Sequence, residues 1–228
     1  MCIRDRNSTD QLVELARSIT DEPDVRELDA LLATGEIVSC SLLAITLKNL
    51  GYDAVSLTGY QVGVHTDDVY GNARINLIDQ DRIGKELSDG RIVVIAGFQG
   101  ITDDLNTTTL GRGGSDTTAV ALAAVLNADR CEVYTDVEGI YTADPRIVSG
   151  ARKIREIGYE DMLELASIGA KMHPRSIELG AVYHVPIYVA SSFNNAIGTL
   201  IHDQIKGCLL YTSPSPRDLS TSRMPSSA

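Results

Sequence analysis

The stretch "TLGRGGSDTTAVALAAVLNAD", residues 109–129, decides the fold. Three glycines, an arginine and an acid stand directly in front of an alanine-rich run of helical character. Gly111, Gly113 and Gly114 allow positive φ and close backbone approach, and the N–H groups opening the following helix carry partial positive charge. That combination suits phosphate or carboxylate. Arg112 adds a planar fork that grips a carboxylate, and Asp116 can cap the helix or orient a nearby lysine. The same residues also fit a plain tight turn with a Ser or Asp N-cap and a solvated arginine.

Outward from this junction the chain alternates between helical and strand patterns. Apolar periodicity predicts helices over 9–19, 25–32, 36–50, 81–87, 116–126, 159–167 and 174–180. Between them fall short β-branched runs: "AVSL" from Ala54, "RIVVIAGF" from Arg91, "CEVYTD" from Cys131, "PIYVAS" from Pro186 and "GTLI" from Gly198. Continuous apolar strands such as 92–96 suit a sheet covered on both faces, as in doubly wound α/β folds. Ligands of such sheets bind where strand ends meet helix N-termini, and the polar clusters "AGFQG", "TDVEGIYTADPR" and "GRGGSD" fall at those places.

Three further clusters carry candidate chemistry. "YTDVEGIYTADPR", residues 134–146, offers Thr135, Asp136 and Arg146 as polar groups for a nucleotide and Tyr141 for packing on a base or ribose. It also reads as an ordinary loop closed by Pro145. In "LLATGE", Gly35 is expected to end one helix and Glu36 to open the next, where the helix dipole alone would favour a carboxylate. A functional Glu36 would accept a hydrogen bond from a substrate amine. In "GAKMHPRSIELG", Lys171 stands in a turn before a helix opened by Pro174, well placed for a compact cation near phosphate. His173 is assigned no catalytic role. Asp67, Asp68, Asp103 and Asp104 read as solvated loop charges. No Walker A, G-x-S-x-G or H-E-x-x-H pattern occurs.

Composition narrows the partners. A formal net charge of -11 argues against a broad nucleic-acid or anionic-membrane surface. The longest apolar run, "IVSCSLLAITL" at 37–47, is too short to cross a bilayer and reads as a buried helix. No secretory signal is apparent, so a cytoplasmic protein is expected. Cys2, Cys40, Cys131 and Cys208 are widely spaced, and neither a disulfide nor a metal site is expected from them. Residues 1–7 and the Ser- and Pro-rich 206–228 read as non-native flanks, the latter disordered, around one domain at 8–205.

"STDQLVELA", "LLATGE", "GNARI", "AGFQG", "TLGRGGSDTTAVALAA", "YTDVEGIYTADPR" and "GTLI", in this order, resemble the catalytic domain of the aspartate kinases in the amino-acid kinase superfamily. The resemblance runs from Ser8 to Ile201. It implies an αβα sandwich around a mostly parallel sheet, and transfer of the γ-phosphoryl of MgATP to the β-carboxylate of L-aspartate. By matching motifs it implies that Glu36 binds the aspartate amine and that Arg112, Gly113, Gly114 and Ser115 hold its carboxylates. It further implies an ATP site of Thr135, Asp136, Tyr141 and Arg146, phosphate neutralisation by Lys171 and an organising role for Asp116.

Family members open with a strand ending in Lys-Phe-Gly-Gly, which the matched region lacks, and one residue fewer separates Lys171 from the His-Pro-Arg that follows. The resemblance therefore implies a catalytic domain without its N-terminal strand, weak or inactive by itself, and a homo-oligomer in the intact protein. The C-terminal regulatory domains of many family members are likewise not matched. Two other readings share parts of the pattern: another carboxylate kinase, acting on acetylglutamate or glutamate, and a nucleotide-binding module without turnover.

Overall fold

A computed structural model describes residues 6–167 and 169–203, with side chains described from residue 9. The expected tail at 206–228 and residues 1–5 of the expected flank lie outside the described residues; Arg6 already begins a helix. In chain order the elements are α1 (Arg6–Arg17), α2 (Val25–Asn49), β1 (Ala54–Leu57), β2 (Val64–Thr66), β3 (Ile75–Ile78), α3 (Asp81–Ser88), β4 (Ile92–Ile95), β5 (Gln99–Ile101) and β6 (Thr107–Thr109). There follow α4 (Gly114–Val125), β7 (Cys131–Thr135), β8 (Glu156–Ile157), α5 (Tyr159–Ser167), α6 (Pro174–Tyr183), β9 (Ile187–Ser191) and β10 (Thr199–Ile201).

The fold is mixed α/β, and four of the seven strand pairings among the described residues are parallel. β1 pairs with β4; β7, β9, β10 and β8 form a second sheet; β3, β2, β5 and β6 form a third. The β1–β4 pair is the centre of a sandwich. Val94 and the adjoining Ala96 pack on Cys40 and Ala44 of α2. The alternate residues Val93 and Ile95 face a cluster holding Ile83 of α3 and Ala121 of α4, the two-residue period of a strand covered on both sides. The β7–β9–β10–β8 sheet presents one face to α4, α5 and α6, where Ile177, Ile187, Val189 and Ile201 are fully buried. Its other face carries the half-exposed Tyr134 and Glu132.

Several expectations are corrected. Gly35 does not end a helix: α2 runs unbroken for 25 residues from an Asp24 cap that accepts from the Arg26 and Glu27 N–H groups. A mid-helix glycine costs about 1 kcal/mol relative to alanine, and the buried face of Asp29, Ala33, Glu36, Cys40 and Ala44 outweighs it. Nor is the 37–47 run wholly buried, because Val38, Leu42 and Ile45 are more than half exposed along the opposite face. α2 is the described helix whose length and composition would suffice to cross a membrane. Ile92, expected to be covered on both sides, is 41% exposed. Thr66, read with its aspartates as a solvated loop, is buried in β2, where its hydroxyl meets that of Thr108 at 2.7 Å. Asp67 is likewise engaged, accepting from the Arg74 N–H at 3.0 Å.

Candidate active site

The Gly-rich junction is built as its glycines require. Gly111 and Gly113 have φ of +73° and +72°, the left-handed region that favours glycine. A Cβ on Gly113 would lie 2.3 Å from the Cβ of His173, and one on Gly111 would lie 2.7 Å from the Gly71 carbonyl. Arg175 donates from Nη1 to the Leu110 carbonyl at 3.2 Å, anchoring the loop to α6. His173 is the N-cap of α6 and accepts from the Arg175 N–H, a structural role. α4 then starts at Gly114 with no side-chain cap, so the positive end of its dipole opens on the site.

Beside it lies a groove of about 240 Å³ between the end of β4, the first turns of α4, and β7. Glu36, Ser115, Asp116, Thr135 and Lys171 all line it. Glu36 comes from the middle of α2 and is 7% exposed. A position inside an unbroken helix removes the N-terminal dipole as the reason for a carboxylate there. Lys171 Nζ lies 2.5 Å from Asp136 Oδ1, which also accepts from the Thr135 hydroxyl at 3.0 Å. The Lys171 hydrogen bond, then that from Thr135, hold the Asp136 carboxyl below its ordinary range. Asp116 is displaced the other way: burial raises its pKa, with His173 and Lys171 opposing. The partly buried Asp116, Lys171 and the uncapped start of α4 thus share one concave site, an arrangement suited to managing anionic charge.

The remaining predicted residues do not line this groove. Arg112 is exposed at the tip of the loop, and Gly113 and Gly114 are packed beneath it against His173, Leu110 and Phe98. Tyr141 donates from Oη to Glu138 at 3.3 Å, and its backbone bridges to Lys153. Arg146 is 88% exposed and forks onto Asp144 with bonds of 3.1 and 2.8 Å. Sequence reasoning missed Phe98, which has φ of +68° and marks a strained turn directly after β4. Its N–H donates to Thr118 Oγ1 of α4 at 3.1 Å. It also missed Gln99, which reaches the Ala33 carbonyl of α2 at 3.1 Å. A polar side chain inside "AGFQG" was the available signal for Gln99; nothing local marks Phe98.

Residues 5–191 match the amino acid kinase family, and the chain belongs to that family. Within it, the chain is 56% identical over 198 residues to aspartokinase 2 of Bacillus subtilis (strain 168), a match covering 86% of this chain and 48% of that protein. Identity to an aspartokinase of Geobacillus stearothermophilus is 55%, covering 87% of this chain and 49% of that one. The chain thus spans about half the length of the curated relatives it matches. Among solved structures, Escherichia coli aspartokinase III in complex with aspartate and ADP aligns with a TM-score of 0.76 at 32% identity, over 89% of this chain and 47% of that one. The aspartate kinase of Synechocystis aligns with a TM-score of 0.75 at 47% identity, over 90% and 34% respectively.

Proposed function

We propose that the chain is catalytic-domain sequence of an aspartate kinase. The reaction passes the γ-phosphoryl of MgATP to the β-carboxylate of L-aspartate, giving 4-phospho-L-aspartate and ADP on the way to lysine, threonine, methionine and isoleucine. A carboxylate oxygen forms a bond to the γ-phosphorus as the bond to the ADP oxygen breaks. The observation that carries the reading is the buried Glu36 sharing one groove with Ser115, Asp116, Lys171 and the uncapped start of α4.

In this reading Glu36 accepts from the substrate ammonium, while Arg112, Gly113, Gly114 and Ser115 hold its carboxylates. Thr135, Asp136, Tyr141 and Arg146 form the nucleotide side. Lys171 neutralises phosphate charge, and Asp116 keeps the cationic groups in place. Phosphoryl transfer asks a protein chiefly for positioning and charge neutralisation, which these groups supply. Among the described residues no three His, Cys, Asp or Glu side chains gather to hold a metal, and Mg²⁺ is taken to travel on the phosphates of ATP. The cytoplasm supplies both substrates.

Among the described residues β4 and β7 each pair on one side only, and both border the groove. With the relatives about twice as long, full activity is expected from the longer gene product and little from these 228 residues alone. Hydroxylamine capture of the acyl phosphate tests this, with MgATP and either L-aspartate or L-glutamate. Aspartyl hydroxamate from the longer form is the expected result. A folded longer form that prefers glutamate would mark another carboxylate kinase, and one that binds ATP without turnover would mark a nucleotide-binding module.

The oligomeric reading rests on α2. Val38, Leu42 and Ile45 stand at helical spacing on its exposed face, an apolar stripe of the kind that self-association covers. Leu42→Glu with Ile45→Glu is expected to lower the mass measured by sedimentation velocity. An unchanged mass would remove α2 from the interface.

A further inference from the structure

Asp29 is a carboxylate on the buried face of α2, 2% exposed and two helical turns before Glu36. It forms no ion pair with a described residue. Three neutral donors converge on it instead. Oδ2 accepts from the Thr109 N–H at 2.7 Å and from the Gly71 N–H at 2.8 Å, and Oδ1 accepts from the Thr109 hydroxyl at 2.7 Å. A carboxylate this buried persists where its lone pairs are satisfied, and hydrogen bonds to a charged group are the stronger kind.

What those donors belong to gives Asp29 its role. Thr109 is the last residue of β6, directly before Leu110 and the Gly111–Gly113 turn that leads into α4. Gly71 lies in the turn whose carbonyl abuts Gly111, and the nearby Ala73 N–H donates to the Thr109 carbonyl at 2.9 Å. Asp29 therefore pins the root of the glycine loop and the turn behind it to α2. Arg175 holds the same loop from the α6 side through the Leu110 carbonyl. Glu36 rides on α2 as well, about 10 Å along the axis from Asp29 at 1.5 Å per residue. We propose that Asp29 is a positioning residue that fixes the glycine loop relative to Glu36 and so sets affinity for the amino-acid substrate. The inference rests on the aspartate kinase reading, in which Glu36 and the loop grip the two ends of one small molecule.

The test combines steady-state kinetics of the full-length enzyme with amide hydrogen exchange. Asp29→Asn turns one accepting oxygen into an NH₂ facing a donor; Thr109→Val removes only the hydroxyl, and Thr109→Ser returns it. The expected result is a rise of about tenfold or more in KM for aspartate in Asp29→Asn, from the lost charged hydrogen bonds. A smaller rise in Thr109→Val should be relieved in Thr109→Ser, with KM for ATP moving less than about twofold throughout. Parallel rises in both KM values, or an unchanged aspartate KM in a folded variant, would overturn the proposal. If Asp29→Asn does not fold, the Thr109 pair decides by the same criterion. Exchange does not depend on turnover: loss of protection confined to 71–73 and 109–115 in a folded variant is expected, and no change there would overturn the proposal. A wild-type enzyme that makes no aspartyl hydroxamate would instead count against the aspartate kinase reading, leaving the exchange result to judge Asp29.

Discussion

Lys171→Met in the full-length enzyme is expected to slow aspartyl phosphate formation by about 10²–10³-fold at saturating substrates, the usual cost of removing one group that stabilises transition-state charge. Fold stability should hardly move. Lys171 is 37% exposed and its partner Asp136 is 66% exposed, and ion pairs in such settings contribute about 0–1 kcal/mol. A hydroxamate rate above a tenth of the wild type would show that Lys171 does not neutralise the transferred phosphoryl. The same variant carries a pH signature. Lys171 holds Asp136 below its ordinary range, so the pair stabilises the fold above the pKa of a free aspartate and is lost as the pH falls through that of the folded state. Any difference in Tm between wild type and variant should therefore shrink on acidification.

Glu36→Gln is expected to raise KM for aspartate by roughly 10–100-fold, since a hydrogen bond to a charged group contributes about 1.5–3 kcal/mol. Tm should change little. Glu36 is buried in mid-helix, and a glutamine there keeps the shape of the side chain and an oxygen that accepts a hydrogen bond. An unchanged KM, or a large fall in Tm, would return Glu36 to a structural role. Both residues line one groove, and the two readouts, KM for aspartate and the rate at saturation, separate amino-acid binding from phosphoryl transfer.

Much of this was legible in the residues, and the rest was hidden for identifiable reasons. β1, β4, β7, β9 and β10 announce themselves as apolar β-branched runs. β2, β5 and β6, "VHT", "QGI" and "TTT", are three residues each, too short for a period, and exist through pairing with one another. The glycine in "LLATGE" signals a helix stop, but tertiary packing carried α2 through it, and Glu36 consequently moved from a helix start to a helix middle. The junction around Gly113 was readable because left-handed backbone leaves a glycine signature. Asp29 was not, because a carboxylate serving backbone donors 42 and 80 residues away leaves no local pattern.

α4 is buried on more than one side. Val120 and Ala123 belong to the cluster around β7, β9 and α6, while Ala121 belongs to the cluster around β1, β2 and α3. The two clusters share a wall. Were either to melt first, it would strip one side of α4 and expose apolar surface still needed by the other. The helix that presents its first turn to the groove thereby also makes unfolding a joint event, so that damage to either half is felt at the site.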